Sequence, residues 1–241
     1  MHISVVIPAY NEAARLAATL DRVTGWLAER GGDANGGWEV LVVDDGSSDD
    51  TAAVAGDWAE RGVRVLRLPA NRGKGAALRV GVAASRGDRV LLTDADLSTP
   101  IEDLERLEGH LDAAPLVLGS RAVADSRIEV RQPLHRELMG KIFNRFVRLF
   151  AVGGIADTQC GFKLLDGAVA RSLFAELTID RFAYDVELVW LARRRGHAVR
   201  EVGVRWANEP HSTVHPILDS LRMLKDVTTL RWRHRGEGGR R

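Results

Sequence analysis

Apolar and polar positions alternate in two regimes along the chain. In the first half, short runs of Val, Leu and Ile are separated by longer stretches of helical periodicity. The runs "ISVVIP" (3–8), "WEVLVVDD" (38–45), "VRVLRL" (63–68), "DRVLLTD" (88–94) and "LVLGSR" (116–121) are apolar on both faces. That pattern predicts strands of a mostly parallel sheet with helices on both faces. Helices are predicted between them at 11–30, 49–61, 74–85 and 101–113, with Ser48 or Asp49 capping the second and Pro100 opening the fourth. Strand-helix alternation of this kind predicts a doubly wound, Rossmann-like α/β fold with right-handed crossovers and ligands at the carboxyl ends of the strands. Asp44, Asp45, Asp94 and Asp96 fall at such ends.

The second half is less regular. "PLHRELMGKIFNRFVRLFA" (133–151) predicts a helix with a broad apolar stripe (Leu138, Met139, Ile142, Phe143, Phe146, Val147, Phe150) and a mainly basic opposite face. It either covers the core or docks on a membrane. A loop with "DTQCGFKLL" (157–165) follows, then helices near 167–175 and 184–195, a strand at 198–206 and a helix over 215–232. No linker divides the chain, so one domain over 1–232 with a basic flexible tail at 233–241 is expected.

Composition changes this picture little. The chain has 241 residues, 45% hydrophobic and 28% charged, with a net charge of +1. The field is too weak to attract nucleic acid, so no nucleic-acid partner is expected. Cys160 is the single cysteine, which excludes an intramolecular disulfide and suits a reducing compartment. It reads as a small buried apolar group rather than a nucleophile. The N-terminus shows no secretion signal, and no apolar run reaches the roughly 18 residues of a membrane span. A cytoplasmic chain is therefore expected.

The candidate chemistry lies at the strand ends. Alternate side chains of an extended segment point to one side, so Asp94 and Asp96 converge, and two carboxylates plus diphosphate oxygens suit Mg2+ or Mn2+. The competing reading is a solvated acidic turn. In "VVDDGSSDDT" (42–51) the carboxylates either accept hydrogen bonds from a base or ribose, or merely cap a helix. "NRGKGAALRVG" (71–81) is not a triphosphate-binding P-loop, but Lys74 opens a helix and can approach a diphosphate. Asp185 and Glu187 lie near a sugar pocket or pair with Arg.

Together and in this order, these segments resemble the family 2 glycosyltransferases of the GT-A fold. "TDADLSTPIEDL", "GSR", "DTQCGFK" and "FAYDVELVWLARRRG" look like the polyprenyl-phosphate sugar synthases, the dolichyl-phosphate glucosyl- and mannosyltransferase relatives, over roughly residues 2–230. The resemblance implies a nucleotide-sugar half (1–121) and an acceptor half (122–232). It places Pro8, Ala9, Tyr10 and Glu12 at the nucleotide, Asp44 or Asp45 on base or ribose, Lys74 and Ala95 at the donor, and a cation on Asp94 and Asp96. Arg121, Arg131 and Arg136 are implied for the acceptor phosphate, with Gln159, Lys163 and Ser212 on the acceptor side; Asp96 and Arg121 carry catalysis. The chain departs from the family pattern twice. Ser98 stands where many mannose synthases carry Gln, and Thr213 replaces the Lys of a Ser-Lys pair, so that role is either missing or moved to His211 or His215.

The implied reaction moves a hexose from UDP- or GDP-hexose to polyprenyl phosphate with inversion. A phosphate acceptor, with a second pKa of about 6, needs no general base. That matches the absence of the downstream Glu-Asp and Gln-x-x-Arg-Trp arrangement of enzymes that glycosylate hydroxyls. A lipid-borne acceptor implies peripheral attachment at the cytoplasmic face of the membrane, autonomous or helped by a membrane-protein partner. The rival readings are a GT-A transferase with a soluble hydroxyl acceptor, a nucleotidyltransferase and a metal-dependent nucleotide-binding module.

Overall fold

Strand β1 (Ile3–Ala9) pairs in parallel with β2 (Trp38–Asp44) and β4 (Arg89–Leu92), and β2 pairs in parallel with β3 (Val63–Arg67). The computed structural model describes residues 3–31, 37–130, 132, 140, 144–147, 151–208 and 216–235. Within them the sheet has seven strands in the order β3-β2-β1-β4-β7-β5-β8, where β5 is Leu116–Ser120, β7 is Lys163–Asp166 and β8 is Val199–Gly203. Only β7 runs antiparallel to its neighbours, β4 and β5. A separate two-stranded ribbon joins β6 (Arg127–Val130) to β9 (Arg205–Ala207).

Period-two alternation sorts the side chains of β1 into two cores. Val5 and Ile7 pack with Leu16, Leu20 and Val23 of α1 (Ala13–Glu29) and with Leu104 and Leu107 of α4 (Leu104–Glu108). Val6 packs on the opposite face with Ala77 and Leu78 of α3 (Lys74–Ala84). That second core also takes Leu173 of α5 (Gly167–Glu176), Leu188 of α6 (Tyr184–Arg194), and Met223, Val227 and Leu230 of α7 (Pro216–Arg233). Helices therefore cover both faces, as expected for strands without a polar side. Each fully buried Leu or Ile contributes about 1.5–3 kcal/mol of burial free energy.

Several predicted elements change shape. The helix expected at 49–61 is the short α2 (Thr51–Gly56) followed by a 3-10 turn, Ala59–Arg61. The helix expected at 101–113 is a 3-10 turn, Ile101–Asp103, and the short α4, which gives way to Gly109. The strand expected at 198–206 is two strands, β8 and β9, separated by Val204. The loop expected at 157–165 contains the start of β7. Its polar ends hide it in the sequence, while Leu164 and Leu165 enter opposite cores. Of the helix expected at 133–151, residues 140 and 144–147 are helical, Val147 is buried in the second core and Ala151 lies in a turn; the rest lies outside the described residues.

Candidate active site

The carboxyl ends of β1 and β2 are stitched together. Asp45 N–H donates to the Ala9 carbonyl at 2.8 Å, Asn11 N–H to Ser47 Oγ at 2.9 Å, and Ser48 N–H to Asn11 Oδ1 at 2.9 Å. Asn11 has φ 56°, a left-handed conformation that Asn tolerates. Pro8 and Ala9 form this backbone edge, and Tyr10 stands exposed beside it. Glu12 has its carboxylate paired with Arg15, whose Nη2 donates at 2.8 Å.

Asp44 and Asp45 separate in role. The Asp44 side chain is buried; Oδ1 accepts from Ser47 N–H at 2.9 Å. Its Oδ2 has no hydrogen-bond partner, since Arg67 Nε, 3.1 Å away, is out of alignment. Asp45 accepts from the N–H groups of Arg72 (2.9 Å) and Gly73 (2.7 Å) and from Asn71 Nδ2 (3.0 Å). Burial raises its pKa against the pull of these donors. Asp45 therefore shapes the 71–73 loop, and Asp44 is buried with Oδ2 ion-paired to Arg67.

That loop delivers Lys74. Gly73 has φ 115°, and a Cβ there would stand 2.6 Å from the Asp180 carbonyl oxygen, so the loop requires glycine. Lys74 Nζ lies 2.5 Å from Asp94 Oδ1. Burial alone would lower the Lys74 pKa, but the Asp94 charge raises it overall. Burial likewise pushes Asp94 up, and Lys74, backed by Lys163 and Arg121, holds it below its ordinary value. Ala95 is buried and its carbonyl accepts from Thr19 Oγ1 at 2.6 Å, while Asp94 and Asp96 are part-exposed on the other side. The extended segment expected here ends at Leu92, and Asp94 to Asp96 lie in the turn that follows β4. Leu97, at φ 46°, closes the turn with its N–H on the Asp94 carbonyl at 3.2 Å, and Ser98 N–H donates to Asp96 Oδ1 at 2.9 Å.

Three features fit a divalent cation here. The donors are hard carboxylate oxygens. The Lys74 ammonium already stands in as a cation at Asp94. A Cβ on Gly161 would overlap Asp94 Oδ2, so the missing side chain keeps the carboxylate in place. Among the described residues no cluster of three His, Cys, Asp or Glu ligands forms.

Arg121, just past β5, carries the positive side of the site. Asp157 accepts from its Nε at 2.7 Å, its Nη2 at 2.9 Å and its backbone N–H at 3.0 Å. Burial would raise the Asp157 pKa, but the guanidinium holds it down to about 2. Glu201 fixes the loop that carries Asp157, accepting from the N–H groups of Ala156 (2.6 Å) and Asp157 (2.8 Å). The Arg121 guanidinium also lies 5.4 Å from the Trp206 ring centroid. Gln159 is part-buried, with its N–H on Asp157 Oδ1 at 3.1 Å.

Lys163 requires a correction. Direct acceptor contact was the expectation, but the side chain is fully buried; its ammonium is bound by the Cys160 carbonyl and by Asp185 Oδ1 at 2.5 Å. As the first residue of β7 it ties the 160–163 segment to Asp185 of α6 from a buried position. Asp185 is thereby ion-paired with Lys rather than Arg, and Glu187 binds Thr178 and Ile179. Cys160 is buried with a raised pKa, caused mainly by burial, and is no nucleophile. Arg131, Arg136 and Ser212, with His211 and His215, lie outside the described residues. Asp157, Gly161 and Trp206 were not singled out from the sequence. The first two sit inside "DTQCGFK", where an Asp facing a distant Arg and a Gly beside a distant Asp leave no local signature.

The family model described as "Glycosyl transferase family 2" matches residues 4–174. The chain is 36% identical over 245 residues to the dolichyl-phosphate beta-glucosyltransferase of Dictyostelium discoideum, covering 97% of this chain and 75% of that one. It is 39% identical over 244 residues to the enzyme of that name from Mus musculus, covering 96% and 75%. Among solved structures it is similar to glucosyl-3-phosphoglycerate synthase from Mycobacterium tuberculosis in complex with uridine diphosphate, with a TM-score of 0.66, 25% identity and coverage of 96% and 79%. The same synthase in complex with Mn2+ and UDP-glucose gives a TM-score of 0.64 at 25% identity, covering 96% and 78%.

Proposed function

The chain belongs to glycosyl transferase family 2, and from that premise we propose that it is an inverting hexosyltransferase acting on polyprenyl (dolichyl-type) phosphate with a nucleoside-diphosphate sugar as donor. The observation that carries this reading is the meeting, at one end of the sheet, of the Asp94/Asp96 pair with a guanidinium fixed by Asp157. Relatives that align over nearly the whole chain are named for transfer to dolichyl phosphate. Their names favour glucose as the hexose, and the nucleotide in the similar solved structures favours uridine diphosphate.

Asp44, ion-paired through Oδ2 with Arg67, stands at the base or ribose edge formed by Pro8, Ala9 and Tyr10. Asp94 and Asp96 would hold a divalent cation, Mg2+ or Mn2+, which would supply positive charge to offset that of the leaving diphosphate. Lys74, at the N-terminus of α3, faces the same diphosphate. Arg121 orients the acceptor phosphate with the part of its fork that Asp157 leaves open, and Gln159 lies beside it. A phosphate oxygen of the acceptor then attacks C1 of the sugar. The C1–O bond to the diphosphate breaks, and its electron pair leaves with the nucleoside diphosphate. No proton is removed from the nucleophile, so the part-exposed site residues include no need for a base. An α-linked donor gives a β-linked lipid phosphate.

The acceptor stays in lipid, so the enzyme works as a peripheral protein at the cytoplasmic membrane face. Among the described residues no helix is long and apolar enough to cross a membrane. Instead α7 exposes Leu221, Lys225, Thr228 and Trp232 along one stripe, with Arg235 exposed in the turn after it, a surface suited to the headgroup layer of anionic lipid. Incubation with labelled UDP-glucose and polyprenyl phosphate in detergent tests the proposal. The expected product is an organic-soluble β-glucosyl phosphate lipid. Transfer to a soluble acceptor such as 3-phosphoglycerate, with none to the lipid, would overturn it.

A further inference from the structure

Asp94 is part-exposed, yet each of its oxygens has a close neighbour. Oδ1 lies 2.5 Å from Lys74 Nζ, and Gly161 closes against Oδ2 so tightly that it admits no Cβ. A carboxylate placed to bind a divalent cation thus already holds a cation of its own chain. The backbone under Lys74 is fixed: Gly73 N–H is bound by Asp45 at 2.7 Å, and Ala76 N–H by the Asp180 carbonyl at 2.9 Å. Only the four-carbon side chain, with 19% of its surface exposed, is left to move. An ammonium and a divalent cation on one carboxylate repel each other, and Asp94 and Asp96 cannot satisfy both. A diphosphate changes this balance, because its oxygens serve the metal and the ammonium together.

We infer that Lys74 is an exchangeable counter-cation of Asp94: it occupies the carboxylate in the free enzyme, releases it as the divalent cation and the donor enter together, and then binds the donor's diphosphate. The inference rests on the donor-site reading proposed above. It makes metal and nucleotide mutually dependent ligands, with Lys74 as the group that couples them. Metal alone meets a competitor, nucleotide alone lacks its cation, and the pair together finds every charge matched. By linkage the coupling is reciprocal, so each ligand tightens the other by the same factor.

Titrating the full chain with Mn2+, with and without UDP, tests this by calorimetry and by the electron paramagnetic resonance of free Mn2+. The wild type is expected to bind Mn2+ weakly alone and much more tightly with UDP. Lys74→Met, which keeps the length and removes the charge, is expected to bind Mn2+ alone about tenfold more tightly, with the Mn2+–UDP coupling reduced by at least about the same factor. Lys74→Arg keeps the charge and should leave Mn2+ binding weak. Lys74→Gln serves in place of the Met variant if that protein does not fold. Mn2+ affinity that is unchanged or weaker in the uncharged variants, or a Lys74→Arg that behaves like Lys74→Met, would overturn the exchange. A wild type that shows the expected Mn2+ behaviour but transfers no sugar to polyprenyl phosphate would refute the acceptor reading and leave the exchange standing.

Discussion

Asp157 grips Arg121 by three donors, Nε at 2.7 Å, Nη2 at 2.9 Å and the backbone N–H at 3.0 Å, so one carboxylate fixes both the side chain and the loop that carries it. The Asp157 pKa is held down from 3.8 to about 2, which corresponds to roughly 2 kcal/mol of stability. The folded value lies below the unfolded one, so this stability is fully present above about pH 4 and is lost as pH falls towards 2. Asp157→Asn is therefore expected to be less stable at neutral pH, with its deficit shrinking across that acid window. Urea unfolding of both proteins over the pH range measures this.

The same contact bears on turnover. Arg121→Lys replaces a planar fork with a point charge and cannot match Asp157 on two parallel bonds. Transfer to polyprenyl phosphate is expected to fall by about tenfold or more, in proportion to the loss of one charge-assisted hydrogen bond. UDP affinity should stay unchanged. Weakened UDP binding would place Arg121 in the donor site.

Asp94→Ala and Asp96→Ala are expected to lower the rate by about 10²–10³, the scale of losing one main source of charge stabilisation. Gly161→Ala probes the same carboxylate without touching it. The added methyl overlaps Asp94 Oδ2, so Asp94 must move. The variant is expected to lose Mn2+ binding in the presence of UDP together with activity. Full activity would show that the geometry around Asp94 tolerates displacement.

How much of this was legible depends on whether a signal was local. The segment "VLLTDAD" carries a strand, a turn and two carboxylates within a few residues, but Asp94 and Asp96 lie in the turn after β4, and Ala95 is buried between them with its carbonyl bound by Thr19. The adjacent pair Asp44-Asp45 was visible as a pair, but not the division of labour, because the donors that engage Asp45 come from residues 71–73. Lys163 failed for the same reason. A Lys at the end of a polar loop reads as exposed, and only its place at the start of an antiparallel strand facing Asp185 buries it. The insertion of β7 between β4 and β5 depends on pairing at long range, which a four-residue "KLLD" does not announce.

The C-terminal end of α7 offers another test. His234 is fully buried with Nε2 2.7 Å from Glu187 Oε1, and Glu187 also accepts from Thr178 Oγ1 at 2.7 Å and Ile179 N–H at 2.8 Å. The next residue, Asp180, gives its carbonyl to Ala76 N–H in the first turn of α3. A run of contacts therefore leads from the turn after α7 to the helix that carries Lys74. His234→Ala removes one partner of a buried carboxylate and is expected to cost about 1–3 kcal/mol of stability. UDP affinity with Mn2+ should weaken as well, because the segment that buttresses α3 loosens. Lower stability with unchanged UDP affinity would confine His234 to a structural role.

Membrane attachment can be separated from catalysis on α7 itself. Leu221 is 60% and Trp232 67% exposed, the two most exposed large apolar side chains among the described residues, and they share a stripe with Lys225, with Arg235 exposed in the turn after the helix. The buried positions of the helix, Met223, Val227 and Leu230, face the core, so replacing the outer residues leaves the packing intact. Each basic residue near an anionic leaflet contributes about 1 kcal/mol, and salt screens that attraction over about 10 Å. The wild type is expected to sediment with vesicles containing phosphatidylserine at low salt and to be released at high salt. Leu221→Ser with Trp232→Ser should weaken sedimentation and slow transfer to vesicle-borne polyprenyl phosphate, with little change for the same acceptor in detergent. Equal loss in detergent would mean that the two side chains serve the site rather than the surface. Undiminished sedimentation would move the docking face away from α7, towards the basic helix predicted at 133–151.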